Sequence, residues 1–389
     1  LKVITKSIDS NVRLKGVAGS GKSYVLCQRA AYILTQPAPT GLNSKLRILI
    51  ITFNVTLRSR ILNLMASALK SVEINQRSEL FVDHYHSFCK SEIRKRSQIE
   101  YRLNGLEAYD QNLADYADSI RLSEQIPENE KFDVILVDEA QDFLSSWFSF
   151  LRNYLKENGS FTIAMDETQN IYGRGTGIPE FLKRGFKGKW ENLQSTHRLP
   201  EKLMEQVNRF QRLFIEDSSG DLCRPSNEQG SLIDSMISSS IDWVQVEKKN
   251  LESNLSSFDV AVEKILSLTA DGANPEDIVL ICLKKTSIEI FKKKLKQHGI
   301  ERFDTSDKRF LFDHIEGALK ISTLHSFKGL ERKHVVILID TEIEYIHNCV
   351  YVALTRLREQ EGCSLSVVCN LPIYKEYGEG WQNYSLKTI

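Results

Sequence analysis

Residues 16–23 read Gly-Val-Ala-Gly-Ser-Gly-Lys-Ser, a glycine-rich octet that ends in an ammonium and a hydroxyl. That spacing suits a phosphate chain. Gly16, Gly19 and Gly21 let backbone N–H groups around Ser20 turn toward phosphate oxygens, Lys22 neutralises the terminal oxygens, and the Ser23 hydroxyl ligates Mg2+. A second reactive pair, Asp138 and Glu139, follows the apolar run Phe132–Val137. Neighbouring side chains at a strand end point in different directions. Asp138 can therefore hold the Mg2+ shell, largely through water, while Glu139 reaches an attacking water as general base. Together the two segments predict nucleoside triphosphate hydrolysis rather than passive binding, because a second acid has no duty in a passive site.

Those residues need a scaffold that brings loops from separate strands to one edge. Short β-branched runs, each followed by a helical pattern, recur at 12–14, 46–53, 80–82, 134–137 and 161–165, and again at 278–282, 319–323, 335–339 and 364–368. This is the pattern of an α/β protein with parallel sheets flanked by helices, whose ligands sit at the carboxyl ends of the strands. Two domains are expected, 1–190 and 191–389, with a short polar, helix-prone insert over 88–131 in the first. The octet falls between the first run and an apolar-periodic helix over 24–34. The Ser-rich tract 216–257 predicts irregular structure before the second sheet resumes. A helix over 286–298 is expected to turn Ile288, Phe291 and Leu295 inward and its lysines to solvent.

In the 389 residues 51 Lys and Arg balance 51 Asp and Glu. No net field attracts a polyanion, so nucleic-acid contact must come from local patches. The basic stretch 183–189, with Phe186 and Trp190 interleaved, is one candidate. Seven scattered cysteines without a CxxC pair predict buried thiols in a reducing compartment. No apolar run approaches the roughly 18 residues of a membrane span, and no signal-peptide pattern opens the chain. A cytoplasmic protein with no membrane partner is expected. The chain opens on Leu1 rather than Met, which reads as an excerpt of something longer.

Beyond the octet and Val137–Asp142, six further segments occur in an order and spacing that resemble superfamily 1 helicases of the UvrD/Rep type, over nearly the whole chain. They are 52–54, 84–88, 165–172, 193–198, 323–331 and 351–356. The resemblance implies two RecA-like P-loop NTPase domains with the ATP site in the interdomain cleft, and ATP with Mg2+ as ligands. It assigns Gln169 to sensing the γ-phosphate, and it makes Arg198 and Arg356 charge-stabilising arginines from the second domain. Gly329 and Glu331, in the Thr323–Glu331 match, are implied to face the nucleotide. Thr52, Phe53, Asn54, His86, Tyr172, Arg174 and His325 are implied to contact a single strand.

Departures from the pattern shape the expected activity. Residues 1–15 contain no glutamine to read adenine. After Tyr172 the chain reads Gly-Arg-Gly-Thr where the family commonly has Gly-Trp-Arg-Gly, so Arg174 replaces a stacking indole. The accessory domains are reduced or absent. The expected function is an ATP-dependent single-stranded nucleic-acid translocase or DNA helicase, 3′–5′ and on DNA in preference to RNA. The alternative is a regulatory ATPase switch that controls a protein partner, such as a nuclease, without productive unwinding.

Overall fold

The computed structural model describes residues 2–37, 45–70, 72–96, 126–173, 190–193, 195–196, 199–215, 222–225, 239–248, 255–305 and 315–389. The chain divides into two compact units, Leu1–Gly16 with Gly21–Leu193, and Val17–Ser20 with Gln194–Ile389. Most of the 88–131 insert falls outside the described residues, as do Arg174, the 183–189 stretch and Arg198.

The first unit is built on a six-stranded sheet of order β3-β2-β4-β5-β1-β6. Its strands are β1 (Val12–Gly16), β2 (Leu46–Thr52), β3 (Ser78–His84), β4 (Phe132–Val137), β5 (Leu155–Met165) and β6 (Glu191–Leu193), all paired in parallel. Both faces are covered, which is why β4 is buried along its whole length. Alternate residues serve opposite cores: Val134 and Leu136 pack with α1 (Lys22–Thr35) and α2 (Val55–Leu69), while Ile135 and Val137 pack with α3 (Tyr85–Arg96) and α4 (Ser145–Asn153).

Arg29 of α1 is fully buried and fastens residues 3–7 to this sheet. Its Nε donates to Thr162 Oγ1 at 3.0 Å, and its Nη atoms donate to the carbonyls of Val3, Lys6 and Ser7 at 3.1, 2.9 and 3.0 Å. Burial pushes its pKa down to about 10, so it stays charged at neutral pH.

The second unit carries β7 (Ser195–Thr196) paired with β8 (Arg224–Pro225), and a seven-stranded parallel sheet of order β11-β12-β10-β13-β14-β9-β15. The strands of that sheet are β9 (Ser239–Glu247), β10 (Ile278–Cys282), β11 (Phe303–Asp304), β12 (Leu319–Thr323), β13 (His334–Ile339), β14 (Cys363–Cys369) and β15 (Tyr384–Thr388). Helices α5 (Glu201–Phe214), α6 (Ser257–Ala270), α7 (Thr286–Gln297), α8 (Leu324–Phe327), α9 (Ile346–Leu354) and α10 (Lys375–Glu379) complete it. On α7, Ile288, Phe291 and Leu295 enter the core, while Lys292 and Lys294 pair with Glu289 and Asp259.

One expectation fails here. The tract 216–257 contains β9, a nine-residue strand between β14 and β15 that reads as irregular because Ser239, Ser240, Asp242 and Gln245 interrupt its apolar side chains. Tertiary partners absorb those polar groups. Asp242 accepts from Ser366 Oγ at 2.6 Å and pairs with Lys264, and Gln245 donates to Leu371 O at 3.3 Å. All seven cysteines are buried and unbridged, and among the described residues no helix is long and apolar enough to cross a membrane.

The Arg29 anchor generates a stability prediction. Arg29→Leu strands several buried carbonyls and should lower stability by about 3 kcal/mol or more, read as a drop in the urea midpoint. Arg29→Lys should recover little of it, because one ammonium cannot span the positions a guanidinium reaches.

Candidate functional site

The octet follows β1, and its lysine opens α1. Gly21 caps that helix at φ 81°, ψ 22°, a left-handed conformation reserved in practice for glycine. A Cβ there would meet nothing within 4 Å, so the requirement is torsional, and it leaves the turn open toward a ligand. Lys22 is 7% exposed and donates to Gly16 O at 2.8 Å and to Asp166 Oδ2 at 3.3 Å. Ser20 is buried, and its hydroxyl has no hydrogen-bond partner.

Two neighbouring strands deliver the acids. Asp138 follows β4 and is 1% exposed; its Oδ2 accepts from Ser23 Oγ at 2.7 Å, and its Oδ1 is buried without a partner. Burial, then the charge of Glu139, push its pKa up to about 6, against the opposing pull of the Ser23 hydroxyl and of Lys22. An under-satisfied carboxylate beside a hydroxyl suits a hard divalent cation that keeps several of its waters. Among the described residues no three His, Cys, Asp or Glu side chains converge, and the Ser23–Asp138 pair is a donor set of the kind that fits Mg2+. Glu139 stands at φ 52°, ψ 47°, an uncommon conformation for a residue with a Cβ. Gln141 holds it there: its Nε2 donates to Glu139 Oε2, while its Oε1 accepts from Asp166 N at 3.0 Å.

Asp166, at the end of β5, is the hub of the group. Its Oδ2 accepts from Gln169 Nε2 at 2.7 Å as well as from Lys22, and its Oδ1 accepts from Thr168 N and Oγ1. At this sheet edge Lys22, Glu139 and Gln169 are linked through two residues absent from the predicted set, Gln141 and Asp166, while Ser23 bonds Asp138 directly. The signal for Asp166 is visible in retrospect, since it ends an apolar strand just as Asp138 does.

A second cluster forms farther along that edge. Phe53 after β2, His86 in α3 and Tyr172 after β5 come together: Phe53 meets His86 edge-on at 5.8 Å between ring centroids and Tyr172 at 5.0 Å. All three remain half-buried. Their neighbours Thr52 and Asn54 serve the turn itself. Thr52 is fully buried with its hydroxyl on Asn54 O at 3.0 Å, and Asn54 caps α2 through Thr56 N at 3.4 Å. Trp147, which no sequence motif marks, lies beneath this cluster.

In the second unit, Thr323 caps α8 by accepting from Ser326 N at 3.4 Å. His325 stands in that helix, where burial and the nearby Lys328 lower its pKa and favour the neutral ring. Gly329 turns the chain at φ 85° into Glu331. Arg332 N donates to Arg356 O at 3.2 Å, and Arg358 N donates back to Arg332 O at 2.9 Å, so the Gly329–Glu331 segment runs beside Arg356. Arg356 is 1% exposed; its Nε donates to Val352 O and its Nη2 to Thr355 Oγ1, both at 2.8 Å.

The family described as UvrD/REP helicase N-terminal domain matches residues 2–129. The match takes in the octet and the segments 52–54 and 84–88. No curated protein sequence matches the chain. The solved structure of S. cerevisiae Dbp5 bound to RNA and ADP BeF3 aligns with 98% of this chain and 85% of its own, at 12% identity and TM-score 0.55. Arterivirus nonstructural protein 10, a helicase solved with DNA, aligns with 98% of this chain and 65% of its own, at 11% identity and TM-score 0.42. This chain thus spans less than two thirds of the arterivirus chain. The likeness to Dbp5 shows the fold, that of RecA-like α/β domains with parallel sheets flanked by helices.

The Asp138 environment generates a pH prediction. A folded pKa near 6 against an unfolded 3.8 means that the native state binds the proton more tightly, so ionisation costs stability as pH rises from about 4 through about 6. In metal-free buffer Asp138→Asn should melt above the wild type at pH 8, and the difference should close toward pH 4 in thermal melts.

Proposed function

We propose, starting from a first domain that matches the UvrD/REP helicase N-terminal family over residues 2–129, that this protein is an ATPase driven by single-stranded nucleic acid. We take it to be a translocase or helicase that acts on DNA in preference to RNA, with 3′–5′ polarity. One observation carries the reading: the polar group around Asp166 and the aromatic group around Phe53 occupy one edge of one sheet. The first group suits a triphosphate and the second suits stacked bases, so a strand and a nucleotide are read by loops of the same sheet.

In this reading the octet wraps the phosphates with its backbone N–H groups, and Lys22 exchanges the Asp166 carboxylate for a phosphate oxygen. Ser23 and Asp138 would hold Mg2+, which when bound would supply positive charge to the phosphates. Glu139 accepts the proton of the attacking water. Gln169, released from Asp166, bonds the terminal phosphate, and Arg198 and Arg356 stabilise the charge that develops in transfer. Gly329 and Glu331 border the nucleotide. Phe53, His86, Tyr172, Arg174 and His325 hold the strand, and Thr52 and Asn54 shape the turn that presents Phe53. A strand gripped by aromatics and a few cations fits a chain with no net charge.

The test is steady-state ATP hydrolysis by the purified chain alone and with single-stranded DNA, single-stranded RNA or blunt duplex. Stimulation by single-stranded DNA above RNA is expected, together with loss of turnover in Lys22→Ala and a drop of about 10²- to 10⁴-fold in Glu139→Gln. Unwinding of a duplex with a 3′ tail but not a 5′ tail checks the polarity. Equal turnover with and without strands would overturn the translocase reading in favour of a partner-controlled switch.

A further inference from the structure

We infer that Trp147 is a positioning residue of the strand-binding surface, the buried indole that sets Phe53, His86 and Tyr172 in place to receive bases. The inference rests on the strand-contact roles proposed above for those three residues.

The three come from separate places in the sheet, after β2, after β3 and after β5. The β2–β3 ladder ends at Thr52 and His84 and brings Phe53 and His86 to one end of the sheet, but β5, which precedes Tyr172, pairs with neither strand, so the mutual placement of the three rings also needs side-chain packing. Trp147 supplies it. Fully buried in α4, it lies parallel to Phe53 at 5.8 Å and 23°, and edge-on to His86 at 5.1 Å and 83°. On Tyr85, the residue before His86, it stacks at 4.2 Å and 14°. Tyr172 is reached through Phe53, which it meets at 5.0 Å and 73°. A leucine here could fill volume, but it offers no flat face on which Tyr85 and Phe53 can both lie near-parallel.

A buried tryptophan is not by itself functional, and the second unit holds the contrast. Trp243 is just as buried, yet it donates to Gln245 Oε1 at 3.2 Å and packs on Tyr377 and Trp381, none of them a candidate for ligand contact. Trp147 instead touches two of the proposed strand contacts directly. It also follows closely on the buried turn 140–142, which carries Gln141 of the nucleotide group. Stacking surfaces gain affinity when their rings are fixed before the ligand arrives, because no rotamer entropy is then lost on binding.

The test uses the full chain with two probes, a fluorescein-labelled 20-nucleotide oligothymidylate followed by anisotropy and a fluorescent ATP analogue. Trp147→Leu should bind the oligonucleotide about tenfold or more weakly and the nucleotide within about twofold of wild type. Trp147→Phe, which keeps a flat ring, should stay within about threefold for both. Undiminished oligonucleotide binding by Trp147→Leu would overturn the inference. If Trp147→Leu loses both ligands, a double-mutant cycle between Trp147→Met, which keeps apolar bulk but no flat ring, and Phe53→Leu decides: coupled effects on strand affinity support the inference and additive effects overturn it. Absence of strand binding by the wild-type chain would overturn the proposed strand contacts themselves, and the inference with them.

Discussion

The first unit is organised around a buried ammonium. Lys22 lies 7% exposed, where an unpaired charge would be prohibitively costly, so it must have oxygen partners at hand. It takes Gly16 O from its own loop and Asp166 Oδ2 from the neighbouring strand β5. That second bond requires β1 and β5 to be adjacent and in register, as they are through pairs such as Lys15 with Met165. Asp166 in turn fixes Gln169 and, through its backbone N–H, Gln141, which holds Glu139. A single carboxylate thus arranges the phosphate loop, the adjacent acid and the glutamine.

The arrangement also carries a consequence for ligand entry. The groups that would bind a terminal phosphate are occupied with one another, while Asp138 Oδ1 and Ser20 Oγ are left without partners. The polar set is therefore satisfied on its sheet side and under-satisfied at two defined atoms. In the proposed ATPase a cation and a phosphate oxygen would add bonds at those two atoms, and Lys22 and Gln169 would trade one oxygen partner for another.

The aromatic group obeys different physics at the same edge. Its members are held by area and ring geometry rather than by charge, and the segment from Asp138 to Trp147 belongs to both groups. Residues 138–143 are buried, so this connection is packed up to the start of α4. In the second unit the same sheet logic recurs with a different outcome. There β9 sits inside the sheet although its sequence is polar, because neighbouring strands and helices provide partners for Asp242 and Gln245.

Local sequence determined what local physics controls. The octet with its required glycines, the apolar strands that end in Asp138 and Asp166, the inward face of α7 and the α/β alternation are all legible because each depends on spacing within one element. Tertiary structure alone decided the rest. It selected Asp166 as the common partner of Lys22 and Gln169, it placed Trp147 under residues from two other loops, and it made β9 a strand. It also turned Thr52 inward to brace the turn that presents Phe53. Each of these depends on which strands become neighbours in a parallel sheet, and that order is set by crossovers of many residues, whose endpoints no local pattern encodes.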